Sequence, residues 1–315
     1  MENELLQVSH LKKYFKTRRG MVHAVDDVSF SLQRGRTLGI VGESGCGKST
    51  LGRVILQLIH PTSGSVRFDG REVTSLSARE MRRMRKEMQM IFQDPFSSID
   101  PRRTVNQIIG EPIKEHGLIK GRAAREERVL ELMETVGLAD RLINAYPHEL
   151  DGGRRQRVGI ACALAVQPRF IVCDEPVSAL DVSIQAQILN LLKHLQRQMG
   201  LTYIFITHDL SVVNHFSDDI AVMYLGQIVE MAPADELFAN PMHPYTQALL
   251  SAIPLPEIGK KRERILLKGE ISSPIDPPDE CRFAGRCLYA TDACRHGCPR
   301  LKEVRPGHMV ACGRC

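Results

Sequence analysis

The amino-acid sequence opens with apolar and polar residues in alternation: Leu5-Leu6-Gln7-Val8, then Leu11 to Phe15, then Val22 to Leu32. A period of two predicts strands over these stretches. After the turn Arg34-Gly35, Thr37-Leu38-Gly39-Ile40-Val41 is an unbroken apolar run, and Leu51 to Leu56 follows a glycine-rich stretch, so the order reads strand, loop, helix. Ser65 to Phe68 and the Asp69-Gly70 turn give a hairpin-like signal. A short basic segment, Arg79 to Lys86, precedes an apolar strand from Met88 to Phe92 that ends at Gln93-Asp94-Pro95. From Phe96 to Pro147 no strand pattern is present. Val129, Leu132, Met133 and Val136 recur at a helical spacing closed by Gly137, which predicts a helical insertion.

Strand signals return at Phe170 to Cys173 and Tyr203 to Ile206, and as a hairpin around Gly226. Between the first two, Ile184, Ile188, Leu191, Leu192 and Leu195 fall on one face of a helix from Ser183 to Arg197. Short apolar strands alternating with helices predict a largely parallel α/β sheet covered on both sides. A proline-rich stretch from Pro233 through Pro278 then marks a change of domain, giving expected domains of 1–232 and 233–315.

Composition adds bounds to this pattern. At 315 residues, 43% hydrophobic and 25% charged, the chain has material for a sizeable core in one large domain with an appendage, or in two domains. Forty-two Lys and Arg against 37 Asp and Glu give a formal +5, too diffuse to argue for a nucleic-acid partner. No apolar run approaches the roughly 18 residues of a membrane-spanning helix. The start, Met-Glu-Asn-Glu-Leu-Leu, lacks a signal-peptide layout, so a cytosolic location is expected. The basic run Lys260-Lys261-Arg262 reads as a solvated face. Six of the nine cysteines crowd the last 35 residues, and in a reducing compartment such clustering argues for a metal or cluster site over disulfides.

The chemistry begins at Gly42-Glu43-Ser44-Gly45-Cys46-Gly47-Lys48-Ser49-Thr50, a G-x-x-x-x-G-K-[ST] loop between a strand and a helix. Its glycines let the backbone fold with N–H groups inward, and the helix start favours an anion. Lys48 is placed to reach the β- and γ-phosphates of a nucleotide and Ser49 to ligate Mg²⁺. The strand from Phe170 ends in Asp174-Glu175, with Asp174 suited to hold Mg²⁺ through water and Glu175 to orient or deprotonate an attacking water. Gln93, at another strand end, is a candidate for Mg²⁺ and the attacking water, and His208 for the γ-phosphate.

In this arrangement nearly the whole chain resembles the ABC transporter ATP-binding subunit. By position, Gly42 to Thr50 matches Walker A, Gln93 the Q-loop, Phe170 to Glu175 Walker B, Ser178-Ala179-Leu180-Asp181 the D-loop and His208 the switch histidine. Phe15 matches the aromatic that stacks on adenine, with Tyr14 as second choice, and Leu150-Asp151-Gly152-Gly153-Arg154 stands at the LSGGQ signature. Within that superfamily the chain is similar to the F-type ATP-binding subunits of oligopeptide and dipeptide importers. That finer resemblance rests on Glu43 to Arg53, Phe92 to Ser98 and Asn240-Pro241-Met242-His243-Pro244-Tyr245-Thr246.

The resemblance implies an α/β P-loop NTPase core, ABC-type and RecA-like. To it are added an antiparallel β subdomain, a helical subdomain inserted at about 96–157, and a small Cys-rich C-terminal extension. It implies a peripheral ATPase at the cytoplasmic face of the membrane, using ATP and Mg²⁺. Its partners would be a second, D-type ATP-binding subunit, two transmembrane permease subunits and, indirectly, an extracytoplasmic substrate-binding protein. Contact with the permeases would run through the helical insertion near Gln93 and the segment Pro95 to Pro101. ATP would lie between one subunit's phosphate loop and the other's signature. Peptides are the expected cargo, with nickel or another small solute as the alternative. A long coiled-coil insertion or a second cassette, usual in relatives acting on nucleic acid, is absent.

Two departures stand out. Asp151 replaces the signature serine, and Arg154 its glutamine. An ionised carboxylate cannot donate to a γ-phosphate and repels it, yet Asp151 also precedes the helix expected from Arg154 to Val166 as an N-cap. Arg154 and Arg155 are candidates to neutralise it. The cysteines Cys281, Cys287, Cys294 and Cys312 do not fit paired C-x₂-C zinc spacing. The family extension implies that these four bind a [4Fe–4S] cluster, with Cys298 or Cys315 as replacement ligands; Zn²⁺ and free thiols are the alternatives.

Overall fold

The structure, a computed structural model, describes residues 3–94, 99–253, 264–267, 269 and 272–315. The segment Pro95 to Ser98 and the run Lys260-Lys261-Arg262 lie outside the described residues. The chain divides into two compact units, Met1–Ser75 with Phe205–Cys315, and Leu76–Ile204.

The first unit begins with the alternating segments. β1 (Glu4–Thr17) and β2 (Gly20–Gln33) form a long antiparallel hairpin from Thr17 opposite Gly20 to Glu4 opposite Gln33. Leu6 and Val8 in β1 and Val28, Phe30 and Leu32 in β2 are buried while Gln7, Ser29 and Ser31 between them are exposed, so the period of two becomes two faces. β3 (Thr37–Val41), buried at all five positions, leads through the glycine-rich loop into α1 (Lys48–Ile55). β4 (Ser63–Phe68) and β5 (Arg71–Glu72) complete a sheet of order β2-β1-β4-β5. The Asp69-Gly70 turn has both residues left-handed, at φ 50° and 74°, the conformation that tight hairpins select.

The second unit starts with α2 (Ala78–Met84), whose capping box pairs Ser77 with Glu80. The expected strand is β6 (Met88–Ile91). The region expected to lack strands holds α3 (Val105–Glu115), opened by a second capping box of Thr104 and Gln107, and α4 (Arg122–Thr135), with Val129, Leu132 and Met133 buried. α5 (Gly152–Leu164) follows, then β7 (Phe170–Asp174), fully buried and parallel to β6. α6 (Val182–Met199) buries Ile188, Leu192 and Leu195 and ends at Gly200, left-handed at φ 65°. The unit division falls within β8 (Thr202–Ile206).

Back in the first unit come α7 (Leu210–Phe216), β9 (Asp219–Tyr224), parallel to β3, and β10 (Gln227–Pro233), turned by Leu225 and Gly226. α8 (Ala234–Ala239) and α9 (Pro244–Ser251) precede the cysteine-rich stretch. The chain then returns as β11 (Lys302–Arg305) and β12 (His308–Val310), the latter pairing with β10, so that the strand order in this unit runs β11-β12-β10-β9-β3.

Candidate active site

The glycine-rich loop is shaped by its surroundings. Gly47 has φ 106°, and a Cβ there would lie 2.0 Å from the carbonyl oxygen of Ala24; at Gly42 it would lie 2.1 Å from that of Met223. Both obstacles are backbone, so neither position accepts a side chain. Leu51 N–H donates to Gly47 O at 2.9 Å, opening α1 without a side-chain cap, and the helix start turns its first-turn donors and positive dipole end towards the loop. Lys48, 5% exposed, curls over the loop: its Nζ donates to Gly42 O at 2.7 Å and Glu43 O at 3.0 Å. Burial pushes the Cys46 thiol up, which leaves it a neutral packing group. A glycine-framed turn ending in a lysine and a hydroxyl pair suits a polyphosphate with a divalent cation in its donor chemistry.

In the same unit, Phe15 is 36% exposed, with Lys13 Nζ 4.9 Å from its ring centre. Tyr14 is engaged: it stacks on His23 at 4.0 Å and donates its hydroxyl to Asp26. His208 is exposed on the loop between β8 and α7, just after Thr207, whose N–H donates to Ile40 O of β3 at 3.1 Å.

The second unit groups the other expected residues. Asp174, 1% exposed, ends β7, and Glu175 after it is left-handed at φ 46°. Gln93, just beyond β6, donates from Nε2 to Glu175 Oε2 at 3.1 Å, so parallel pairing of β6 and β7 brings these two expected site residues together. Gln185 of α6 donates to Val177 O and Leu180 O, both at 3.0 Å, and holds the Ser178 to Asp181 turn.

At the signature position Asp151 is the N-cap of α5, accepting from Arg154 N–H at 2.8 Å, and Arg154 Nε stands 3.4 Å from its other carboxylate oxygen. Arg155 takes no part in that pairing: it is buried and donates to Pro147 O. A Cβ on Gly152 would approach Leu180 to 3.0 Å, and one on Gly153 would approach Ile184 to 2.7 Å, so α5 packs its first turn closely against the D-loop and α6.

The cysteines are neighbours without forming a ligand set. Burial pushes the Cys281 thiol up to about 11, and Cys294, Cys298 and Cys312 add to the push by their proximity. Cys281 N–H also donates to Cys294 O at 2.9 Å. Among the described residues, however, no group of three or more His, Cys, Asp or Glu side chains is placed to hold a metal ion. The expected [4Fe–4S] ligands Cys281, Cys287, Cys294 and Cys312 are thus not gathered into a ligand group here.

Arg286 and the hydroxyl of Tyr245, both bonded to Glu43 of the phosphate loop, were invisible to sequence reasoning. Partners 243 and 202 residues apart leave no local signal.

Comparison with known proteins gives a consistent picture. The family profile described as ABC transporter matches residues 25–178, and that described as the oligopeptide/dipeptide transporter C-terminal region matches residues 229–294. The oligopeptide transport ATP-binding protein AppF of Bacillus subtilis is 51% identical over 321 residues, covering 99% of this chain and 97% of AppF. OppF of the same organism is 52% identical over 313 residues, with 99% and 97% covered. Among solved structures, the ATP-binding cassette MJ0796, a dimer in a post-hydrolysis state bound to ADP and phosphate, superposes with a TM-score of 0.67 at 29% identity, covering 73% of this chain and 99% of the cassette.

Proposed function

The chain belongs to the ABC transporter ATP-binding subunits of the oligopeptide and dipeptide import family, and from that premise we propose that it is the ATP-hydrolysing motor of a peptide importer. The observation that carries this reading is the phosphate loop itself, framed by two glycines that admit no side chain and closed by Lys48. The hydrogen bond from Gln93 to Glu175 supports the hydrolytic half of it.

In this reading Phe15 stacks on adenine, the loop amides of residues 42–50 bind the phosphates, and Lys48 meets their β- and γ-oxygens. Ser49, Gln93 and Asp174 would hold Mg²⁺, which would supply positive charge to offset that of the phosphates. Glu175 takes the proton of the attacking water or orients it, Gln93 fixes the Glu175 carboxylate through the bond between them, and His208 hydrogen-bonds the γ-phosphate.

The motor works on membrane permease subunits, at the membrane periphery; no described helix is long and apolar enough to cross a bilayer. The second ATPase is a D-type subunit, so that each ATP lies between one subunit's loop and the other's Asp151-Gly152-Gly153 or its equivalent. The site completed by Asp151 is the weaker, because the carboxylate cannot donate to a γ-phosphate. The domains run 1–232, with a helical subdomain at about 96–157, and 233–315. For Cys281, Cys287, Cys294 and Cys312 the reading is a [4Fe–4S] cluster that would have to draw the four thiols into a ligand set; it is supported by the proximity of Cys294 and Cys312 to both Cys281 and Cys287 and tested by iron and sulfide analysis after anaerobic purification.

The test of the whole is reconstitution with the permeases and the D-type subunit in proteoliposomes. ATP hydrolysis and uptake of a labelled dipeptide or oligopeptide should appear together, and Lys48→Ala should abolish both. Uptake that survives Lys48→Ala overturns the motor; nickel uptake in place of peptide overturns the cargo.

A further inference from the structure

Every polar group of Glu43, the second residue of the phosphate loop, is held. Its backbone N–H donates to the Tyr245 hydroxyl at 2.9 Å, and its carbonyl accepts from Lys48 at 3.0 Å. Its carboxylate forms a two-pronged ion pair with Arg286, at 2.6 Å and 3.0 Å. The Cys46 N–H shares the carbonyl at 3.3 Å, and two of the four partners come from the C-terminal segment: Tyr245 from α9, Arg286 from the residue before Cys287.

The platform behind them is rigid. Tyr224, Tyr245 and Phe283 are each at most 2% exposed, with ring centres 4.7 Å, 5.3 Å and 5.4 Å apart, and the Arg286 guanidinium lies 5.9 Å from the Tyr224 ring. α9 is fixed at its start by His243, which caps Tyr245 N–H at 3.1 Å, and the His243 N–H donates to the buried carboxylate of Glu230 at 3.0 Å. Rings locked in this way leave the Tyr245 hydroxyl and the Arg286 fork little freedom.

We propose that Arg286 and Tyr245 are positioning residues for nucleotide binding, through which the C-terminal segment holds the phosphate loop in its receptive shape and cancels the charge of Glu43. The inference rests on the ATPase reading above. A carboxylate in a loop built for polyphosphate opposes binding unless a cation offsets it, and the Arg286 side chain, 10% exposed, is that cation. When Lys48 turns to a phosphate it must leave the carbonyls of Gly42 and Glu43. The bonds from Tyr245 and Arg286 do not involve Lys48, so they persist and keep residue 43 in place. The loop is therefore wired to the cysteine-rich stretch, and a change of state there reaches ATP binding through one arginine.

The test uses the full chain, a fluorescent ATP analogue with Mg²⁺, and a thermal melt of each variant to establish folding. Arg286→Met should weaken nucleotide binding about tenfold, the scale of one uncompensated negative charge acting on a phosphate several ångströms away near a protein surface. Adding Glu43→Gln to Arg286→Met should restore affinity to within about threefold of the wild type, because the uncompensated charge is gone. Tyr245→Phe, which keeps the ring, should weaken binding about fivefold, the scale of one lost hydrogen bond. A merely stitching role would lower the melting temperature without moving affinity, and Glu43→Gln would rescue nothing; either result overturns the proposal. Should the wild type bind no nucleotide, the ATPase reading falls and this one with it. Should it bind while Arg286→Met and Tyr245→Phe bind equally well, this one falls alone.

Discussion

Glu175 stands left-handed at φ 46° directly after a fully buried strand, a conformation uncommon for a long side chain and held here by its neighbours. The bond from Gln93 Nε2 is one of those constraints, and it aims the carboxylate. Glu175→Gln keeps the shape and an acceptor for Gln93 but removes the base. Single-turnover hydrolysis should fall by roughly 10²–10⁴-fold, with Mg-ATP still bound; a variant hydrolysing at the wild-type rate would take Glu175 out of the chemistry. A second residue-scale effect lies at His243, where burial lowers the imidazole from its ordinary 6.5 to about 4. Its Nδ1 accepts from Tyr245 N–H, which requires the neutral ring. Below 6.5 the unfolded chain takes up this proton while the folded chain does not until about 4, so stability present above 6.5 is lost as pH falls through that window. The loss should reach about 3 kcal/mol in denaturant titrations, and His243→Asn, which keeps a capping acceptor, should flatten that slope. Lys48 and Glu175 were legible because fixed local spacing defines them. Arg286 was not, since a pair closed across 243 residues has no local pattern.

At the scale of elements, a residue's two possible uses meet in α5. Asp151 reads from sequence both as a signature position and as an N-cap, and the geometry gives it the cap, with the Arg154 N–H at 2.8 Å. Asp151→Ala should destabilise the chain by about 1 kcal/mol, whereas Asp151→Ser, an equal cap, should be near neutral, as thermal and urea melts would register. In the dimer with a D-type subunit proposed above, Asp151→Ser should also raise single-turnover hydrolysis; an unchanged rate would confine the residue to capping. Most strands and the longer helices were readable here because apolar period and turn chemistry agreed, as at Asp69-Gly70 and at Gly137. α2 and α3 were harder. Their capping boxes, Ser77 with Glu80 and Thr104 with Gln107, are present in the sequence, but the helices are only 7 and 11 residues long, so period alone is a weak guide.

For the molecule as a whole, the parallel α/β character and, among the described residues, the strand-free region before α5 followed from the presence or absence of alternation along the chain. The return of the last residues to the first unit's sheet did not. β12 is three residues long, and the proline-rich stretch before it reads as a departure from the core, yet residues 309 and 310 pair with β10. What fixes that return is a buried polar pair. His308 and Glu230, both 0% exposed, meet at 2.7 Å, and Glu230 also accepts the N–H groups of Met242 and His243 at 2.7 Å and 3.0 Å. One carboxylate thus ties β10, the entry to α9 and the end of the chain together, on the side of the fold that carries Tyr245 to the phosphate loop. His308→Ala leaves that carboxylate buried without its ring partner, and breaking such a pair on one side destabilises by about 3–5 kcal/mol. Urea unfolding should show this loss, and His308→Gln, whose amide N–H can still donate to the carboxylate, should recover part of it while both Glu230 oxygens keep their N–H partners. If His308→Ala unfolds at the wild-type midpoint, the pair does not anchor the C-terminal strands. If His308→Gln is no more stable than His308→Ala, the loss belongs to the cavity left by the imidazole and not to the carboxylate's missing partner.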